Sequence, residues 1–194
     1  MKNKTFIIAE IGNSHNGNLK YAMNAIDNAK RAGVDAVKFQ YIKPEELVHP
    51  NLKPYNPISK LKSQLEKFKK ITLKLKDYKK LSKYAHKQKI KFGLSIFDLS
   101  AIREVRNIVD FYKIASGDIK FNLLIEKITN TKKSVIISTG VSDYNEIKKM
   151  KFKNNVSILH CLSKYPSNSS DLAMATILKL KEKFKKNKIG YSDH

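Results

Sequence analysis

Seven short apolar runs in this chain each break off at a polar or ionisable residue, and six helix-like segments separate one run from the next. The runs are Thr5 to Glu10, Asp35 to Gln40, Lys91 to Phe97, Asp110 to Ala115, Ser134 to Ser138, Val156 to His160 and Lys188 to Tyr191. Strands in strict alternation with helices imply right-handed crossovers and a parallel sheet. Such strands are buried on both faces, as Phe6-Ile7-Ile8-Ala9 and Val135-Ile136-Ile137 read. The expected fold class is therefore α/β, a TIM-type (β/α) barrel. The C-terminal ends of barrel strands converge on one face, where catalytic groups from different strands meet. At or just past those ends stand Glu10, Lys38, Ser95, Lys113 with Ser116, Ser138, Ser163, and Ser192 with His194. This is the pattern of an enzyme that handles a phosphorylated substrate.

The helical segments carry one-sided stripes. Leu19, Ala22, Met23, Ile26 and Ala29 share one helix face, with Asn18 placed to cap the start and Gly33 to stop the end. Phe121, Leu124, Ile125 and Ile128 repeat the spacing, as do Ala173, Ile177, Leu180 and Phe184. One connection departs from the rhythm. After Gln40 the chain passes Pro44, Pro50, Pro54 and Pro57 before a lysine-rich helical stretch expected from about Ser59 to Lys76, an insertion that reads equally as a substrate-covering loop or a surface excursion. No linker or repeat divides the chain, so one domain over residues 1–194 is expected. An eight-fold barrel takes ~250 residues and at least ~200. With 194 residues, and His194 directly after the seventh run, the barrel is expected to be truncated after strand seven.

The net charge of +22 raises a nucleic-acid interface as an alternative. All but three of the 39 basic residues are lysines, however, leaving only Arg31, Arg103 and Arg106 to offer planar guanidinium recognition. The lysines crowd the segments between strands, and a solvated exterior is favoured. No stretch approaches the ~20 apolar residues of a membrane helix, and Met1-Lys2-Asn3-Lys4 leads into a strand without a signal-peptide pattern, so a cytoplasmic protein is expected. Its single cysteine, Cys161, excludes an internal disulfide and zinc-finger spacing.

Lys38 and Lys113 lie inside apolar strands, where an ammonium is costly unless an anion or carboxylate meets it. Phosphate binding is one solution and a Schiff-base lysine the other. Ser95, Ser116, Ser138 and Ser192 each close a strand, and Gly117 and Gly140 would let backbone N–H groups approach a phosphate. Glu10 opens a tight polar turn and is placed to bind a hydroxyl or handle a proton. His194 could hold a divalent metal with Asp193 fixing its tautomer. His160 reads as strand packing, and His49 and His86 as solvent-facing.

Six motifs in order resemble one family. They are Ala9-Glu10-Ile11-Gly12 with His15-Asn16-Gly17, Val37-Lys38-Phe39-Gln40, Tyr112-Lys113-Ile114-Ala115-Ser116-Gly117-Asp118, Ile137-Ser138-Thr139-Gly140, Leu159-His160-Cys161 with Tyr165-Pro166, and Gly190-Tyr191-Ser192-Asp193-His194. Together they resemble the sialic acid synthases, which include N-acetylneuraminate, legionaminate and pseudaminate synthases. The resemblance implies condensation of phosphoenolpyruvate with an N-acylated mannose-type sugar, release of phosphate, and a divalent metal, manganese or magnesium. It implies that Lys38, Ser95, Lys113, Ser116, Ser138, Ser163 and Ser192 surround phosphoenolpyruvate, that Glu10, Asp118 and Tyr165 face the sugar and the attacking water, and that His194 is one of two metal-binding histidines. It further implies a homodimer in the full-length family, completed by a C-terminal antifreeze-like domain expected to be absent here, and hence a fragment inactive alone. Ser14, Ile96 and Asn168 depart from the family pattern and blur the choice of sugar. A non-catalytic remnant and a basic nucleic-acid-binding module are the rival readings.

Overall fold

The computed structural model describes residues 4–54 and 61–193. The chain divides into two compact units, Met1–Asp110 and Phe111–His194. In the first unit, strands β1 (Ile8–Gly12), β2 (Ala36–Tyr41) and β3 (Lys91–Ile96) pair in parallel in sequence order. Helix α1 (Leu19–Arg31) joins the first two strands, and α5 (Leu99–Val105) follows the third. Between β2 and β3 lie α2 (Pro44–Leu47), α3 (Gln64–Ile71) and α4 (Leu75–Lys87).

Local chemistry sets these boundaries. Asn18 accepts the backbone N–H groups of Lys20 and Tyr21, satisfying two otherwise orphaned donors at the start of α1. Gly33, at φ +76°, takes the left-handed conformation that ends it. Ala22, Ile26 and Ala29 are the buried stripe of α1, and Tyr78, Leu81, Ser82 and Ala85 that of α4. Tyr41 and Tyr78 meet edge to face at 5.2 Å, and the Tyr78 hydroxyl donates to the Gln40 carbonyl. At the opposite ends of the strands, Asp35 accepts from the Ile7 N–H and Asp110 from the Phe92 N–H, tying strand starts together.

The second unit pairs β4 (Phe111–Ile114), β5 (Ser134–Ser138), β6 (Val156–Cys161) and β7 (Lys188–Ser192), again in parallel and in order. Helices α6 (Asn122–Asn130), α7 (Tyr144–Ile147) and α8 (Thr176–Lys183) occupy the connections. Leu124 and Ile128 of α6, Val135 and Ile137 of β5, Val156 and Ile158 of β6, and Leu180 of α8 are buried. Asn187 holds the start of β7 by donating to the Lys153 and Val156 carbonyls.

All seven expected strands form, and three expectations change. Glu10 does not end its strand: β1 runs on to Gly12 through a bulge, where Glu10 lies opposite Lys38 and Gly12 opposite Phe39. The lysine-rich stretch expected as one helix from Ser59 to Lys76 is broken. Ser63 caps α3, residues 72–74 are extended, Leu73 turns into the core, and the Asp77 carboxylate accepts the Lys74 N–H to begin α4. Ser59 and Pro57 lie outside the described residues. Ala173 falls outside α8 with φ +45°, so the last stripe begins at Ile177. No helix among the described residues is long and apolar enough to cross a membrane.

Candidate active site

The third residue of β2 is a buried cation. Lys38 is 4% exposed, and its Nζ lies 2.6 Å from Glu10 Oε1 and 2.8 Å from Ser95 Oγ. Burial holds the ammonium below its ordinary lysine pKa, and the adjacent Glu10 carboxylate opposes that shift. The strand register creates the contact, because Glu10 and Lys38 are direct cross-strand partners and Ser95 stands opposite Gln40 on the next strand. Sequence reasoning anticipated a carboxylate or anion for Lys38; the carboxylate is the neighbouring candidate itself. Glu10 remains exposed on its outer side, so this ion pair can also meet a ligand.

Beside this trio the β1–α1 turn adds groups that the sequence reading did not single out. Asn13 Nδ2 donates to Gln40 Oε1 at 2.7 Å. His15 is buried against Phe39, and its Nδ1 accepts the Gly17 N–H at 3.1 Å. Its desolvated ring is held below the ordinary histidine pKa. The only sequence signal for His15 was its place inside a family motif.

In the second unit the Lys113 ammonium donates to the Ser138 hydroxyl, which is 2% exposed. Ser116 follows β4 in a single 3₁₀ turn, Ser116–Asp118. Its Oγ accepts the Gly140 N–H at 3.0 Å and lies 3.1 Å from Cys161 Sγ. A Cβ on Gly140 would lie 2.6 Å from Ser163 Oγ, 2.8 Å from Cys161 Sγ and 3.0 Å from Ser116 Oγ, so only glycine fits without displacing them. The structure thus brings Ser116 and Ser163 together around Gly140. Ser192 ends β7 opposite Cys161. Asp118 is half-buried, and desolvation raises its carboxyl above the usual range.

The remaining candidates are less enclosed. Tyr165 is 74% exposed beside a cis bond to Pro166. His160 was read as packing alone; it is half-buried with Nε2 2.6 Å from the Leu172 carbonyl, so it also ties down the loop after β6. His86, expected to face solvent, is about half exposed and pairs with Asp110 at 2.8 Å. His194 lies outside the described residues. Among those described, no cluster of three or more His, Cys, Asp or Glu side chains could hold a metal.

Comparisons with known proteins bear on the family and the fold. The NeuB family model matches residues 25–194. The chain is 38% identical to an uncharacterized protein of Methanocaldococcus jannaschii, covering 98% of this chain and 55% of that one. It is 34% identical to the N,N′-diacetyllegionaminic acid synthase of Campylobacter jejuni, covering 98% and 61% respectively. Among solved structures, N-acetylneuraminic acid (sialic acid) synthetase from Leptospira borgpetersenii, crystallised with citrate, superposes with a TM-score of 0.86 at 34% identity, over 99% of this chain and 66% of that one. The chain therefore spans little more than half the length of the curated relatives it matches. The fold is the (β/α)-barrel type of the sialic acid synthases, represented here by seven parallel strands alternating with helices. By family model, sequence identity and fold alike, this chain belongs to the NeuB family.

Proposed function

We propose that the chain supplies the substrate-binding barrel strands of an enzyme that condenses phosphoenolpyruvate with an N-acylated mannose-type sugar to give a nonulosonic acid. The observation that carries this reading is the pair of strand-embedded lysines, Lys38 on Glu10 and Ser95 and Lys113 on Ser138. Each ammonium meets a serine hydroxyl that can also donate to a phosphate. Two lysines embedded in apolar strands, each beside a serine hydroxyl, are what a phosphate-binding rim requires.

In this reading Lys38, Ser95, Lys113, Ser116, Ser138, Ser163 and Ser192 bind phosphoenolpyruvate, with the lysines offsetting its charge. C3 of the enol then attacks the sugar aldehyde carbon, forming the new C–C bond. Water adds at C2, and the resulting tetrahedral centre expels inorganic phosphate as the C–O bond breaks. Glu10, Asp118 and Tyr165 are assigned to the sugar and the water; Asp118, its carboxyl held up by burial, is suited to passing a proton. A divalent metal, manganese or magnesium, and a homodimeric full-length protein complete the proposal by resemblance. The described residues present no donor set for the metal, so no step is assigned to it.

Calorimetry with phosphoenolpyruvate tests the reading. Losing a charge-assisted phosphate contact costs ~1.5–3 kcal/mol, so Lys38→Ala and Lys113→Ala should each weaken binding roughly ten- to hundredfold. Unchanged affinity in both variants would reject the assignment. Sugar- and phosphoenolpyruvate-dependent phosphate release, measured with manganese on this chain and on the chain joined to a relative's C-terminal half, tests catalysis. Release is expected only from the joined protein.

A further inference from the structure

We infer that Cys161 is a positioning residue, whose thiol, together with the Gly140 N–H, fixes the Ser116 hydroxyl as a donor towards the bound phosphate. The inference rests on the phosphoenolpyruvate reading above for the identity of the anion, but not for the hydrogen-bond polarity. Ser116 Oγ has one proton and two acceptor lone pairs. The Gly140 N–H, at 3.0 Å, occupies one lone pair. Cys161 Sγ, at 3.1 Å, either fills the second by donating its S–H or takes the serine proton.

Three observations favour the thiol as donor. Sulfur is a weak acceptor, so an O–H···S bond would use the stronger donor on the poorer partner. Cys161 is 4% exposed, which leaves its S–H dependent on a protein acceptor, and Ser116 Oγ is the one the hydrogen bonds provide. Ser116 itself is only half-buried, so its O–H retains an open direction. With both lone pairs occupied, that proton can only point outward. Gly140 makes the arrangement possible, since a Cβ there would press on Ser116, Cys161 and Ser163 at once. The thiol therefore sets the direction of a neighbour's proton and touches no reacting atom.

Because the chain contains one cysteine, its S–H stretching band in the infrared belongs to Cys161 alone. A donating thiol gives an intensified band displaced to lower frequency, and Ser116→Ala should return it to the frequency of an unbonded S–H. A band already at the unbonded position, or one unmoved by Ser116→Ala, would overturn the inference whether or not phosphoenolpyruvate binds. Affinity supplies the second arm. In calorimetry, Cys161→Ala should weaken phosphoenolpyruvate binding roughly three- to tenfold, and Cys161→Ser, which restores a donor, should recover most of it. A role in packing alone predicts the opposite order, because a buried serine hydroxyl packs worse than alanine; equal or reversed affinities would therefore also reject the idea. Wild-type protein that fails to bind phosphoenolpyruvate, yet shows the displaced band, would sink the functional reading and leave the hydrogen-bond polarity standing.

Discussion

Lys38 shows how much a single buried charge depends on one neighbour. Its ammonium is nearly enclosed, whereas Glu10 is more than half exposed, so the pair is asymmetric. Glu10→Gln keeps the shape and removes the countercharge, and should cost about 1–3 kcal/mol in urea denaturation; the double variant with Lys38→Met should recover part of that loss. The penalty is pH-dependent. Since the folded pKa of Lys38 lies below its ordinary 10.5, the unfolded chain holds the proton more tightly between the two values, and stability rises with pH through that window. The Glu10→Gln defect should therefore shrink in alkaline buffer. Asp118 titrates in the other direction. Burial raises its carboxyl above the ordinary 3.8, so its ionisation removes stability as pH climbs from that value to the raised one. Thermal melts should show Asp118→Asn stabilising at pH 7 and giving no gain near pH 3, while the same substitution in the protein joined to a relative's C-terminal half should lower phosphate release.

Among the elements, α1 and its two flanking turns were the most readable, because capping and left-handed glycine are local chemistry. Asn18→Ala should cost about 1 kcal/mol. The glycines on either side of α1 separate two kinds of requirement. A Cβ on Gly33 would meet nothing within 4 Å, so Gly33→Ala should cost only the left-handed backbone, about 1–2 kcal/mol. A Cβ on Gly17 would lie 2.5 Å from the Lys70 carbonyl oxygen, so Gly17→Ala should cost about 2–4 kcal/mol. Urea midpoints of the two variants, compared at one temperature, check the order. The insertion was harder to read. Lysines recur through residues 62–80 whichever segments are helical, and the pattern does not reveal that Thr72 to Lys74 is extended. What decides it is tertiary: Leu73 is buried, a contact no local pattern encodes.

For the whole molecule, seven strands and their parallel pairing within each unit follow from alternation, while the partners around each candidate residue depend on register. Lys38 announced a need for a carboxylate, but only the pairing of β1 with β2 identifies Glu10. Cys161 announced nothing, because a lone buried cysteine reads as packing until Ser116 is seen beside it. The excess of lysine was legible as a solvated exterior: Lys76, Lys79, Lys80, Lys83 and Lys87 all lie on the exposed side of α4. Duplex DNA should accordingly bind only at low salt and be released near physiological ionic strength, as a titration at two salt concentrations would record. The contact at Gly17 carries a further consequence for how the molecule breathes. Helix α3 presses its Lys70 carbonyl against a turn with no room for a methyl group, so α3 is coupled to the loop that follows the strand bearing Glu10. Amides of the β1–α1 turn and of α3 should exchange their hydrogens in step, as one cooperative opening, and whatever loosens α3 will loosen the loop beside it.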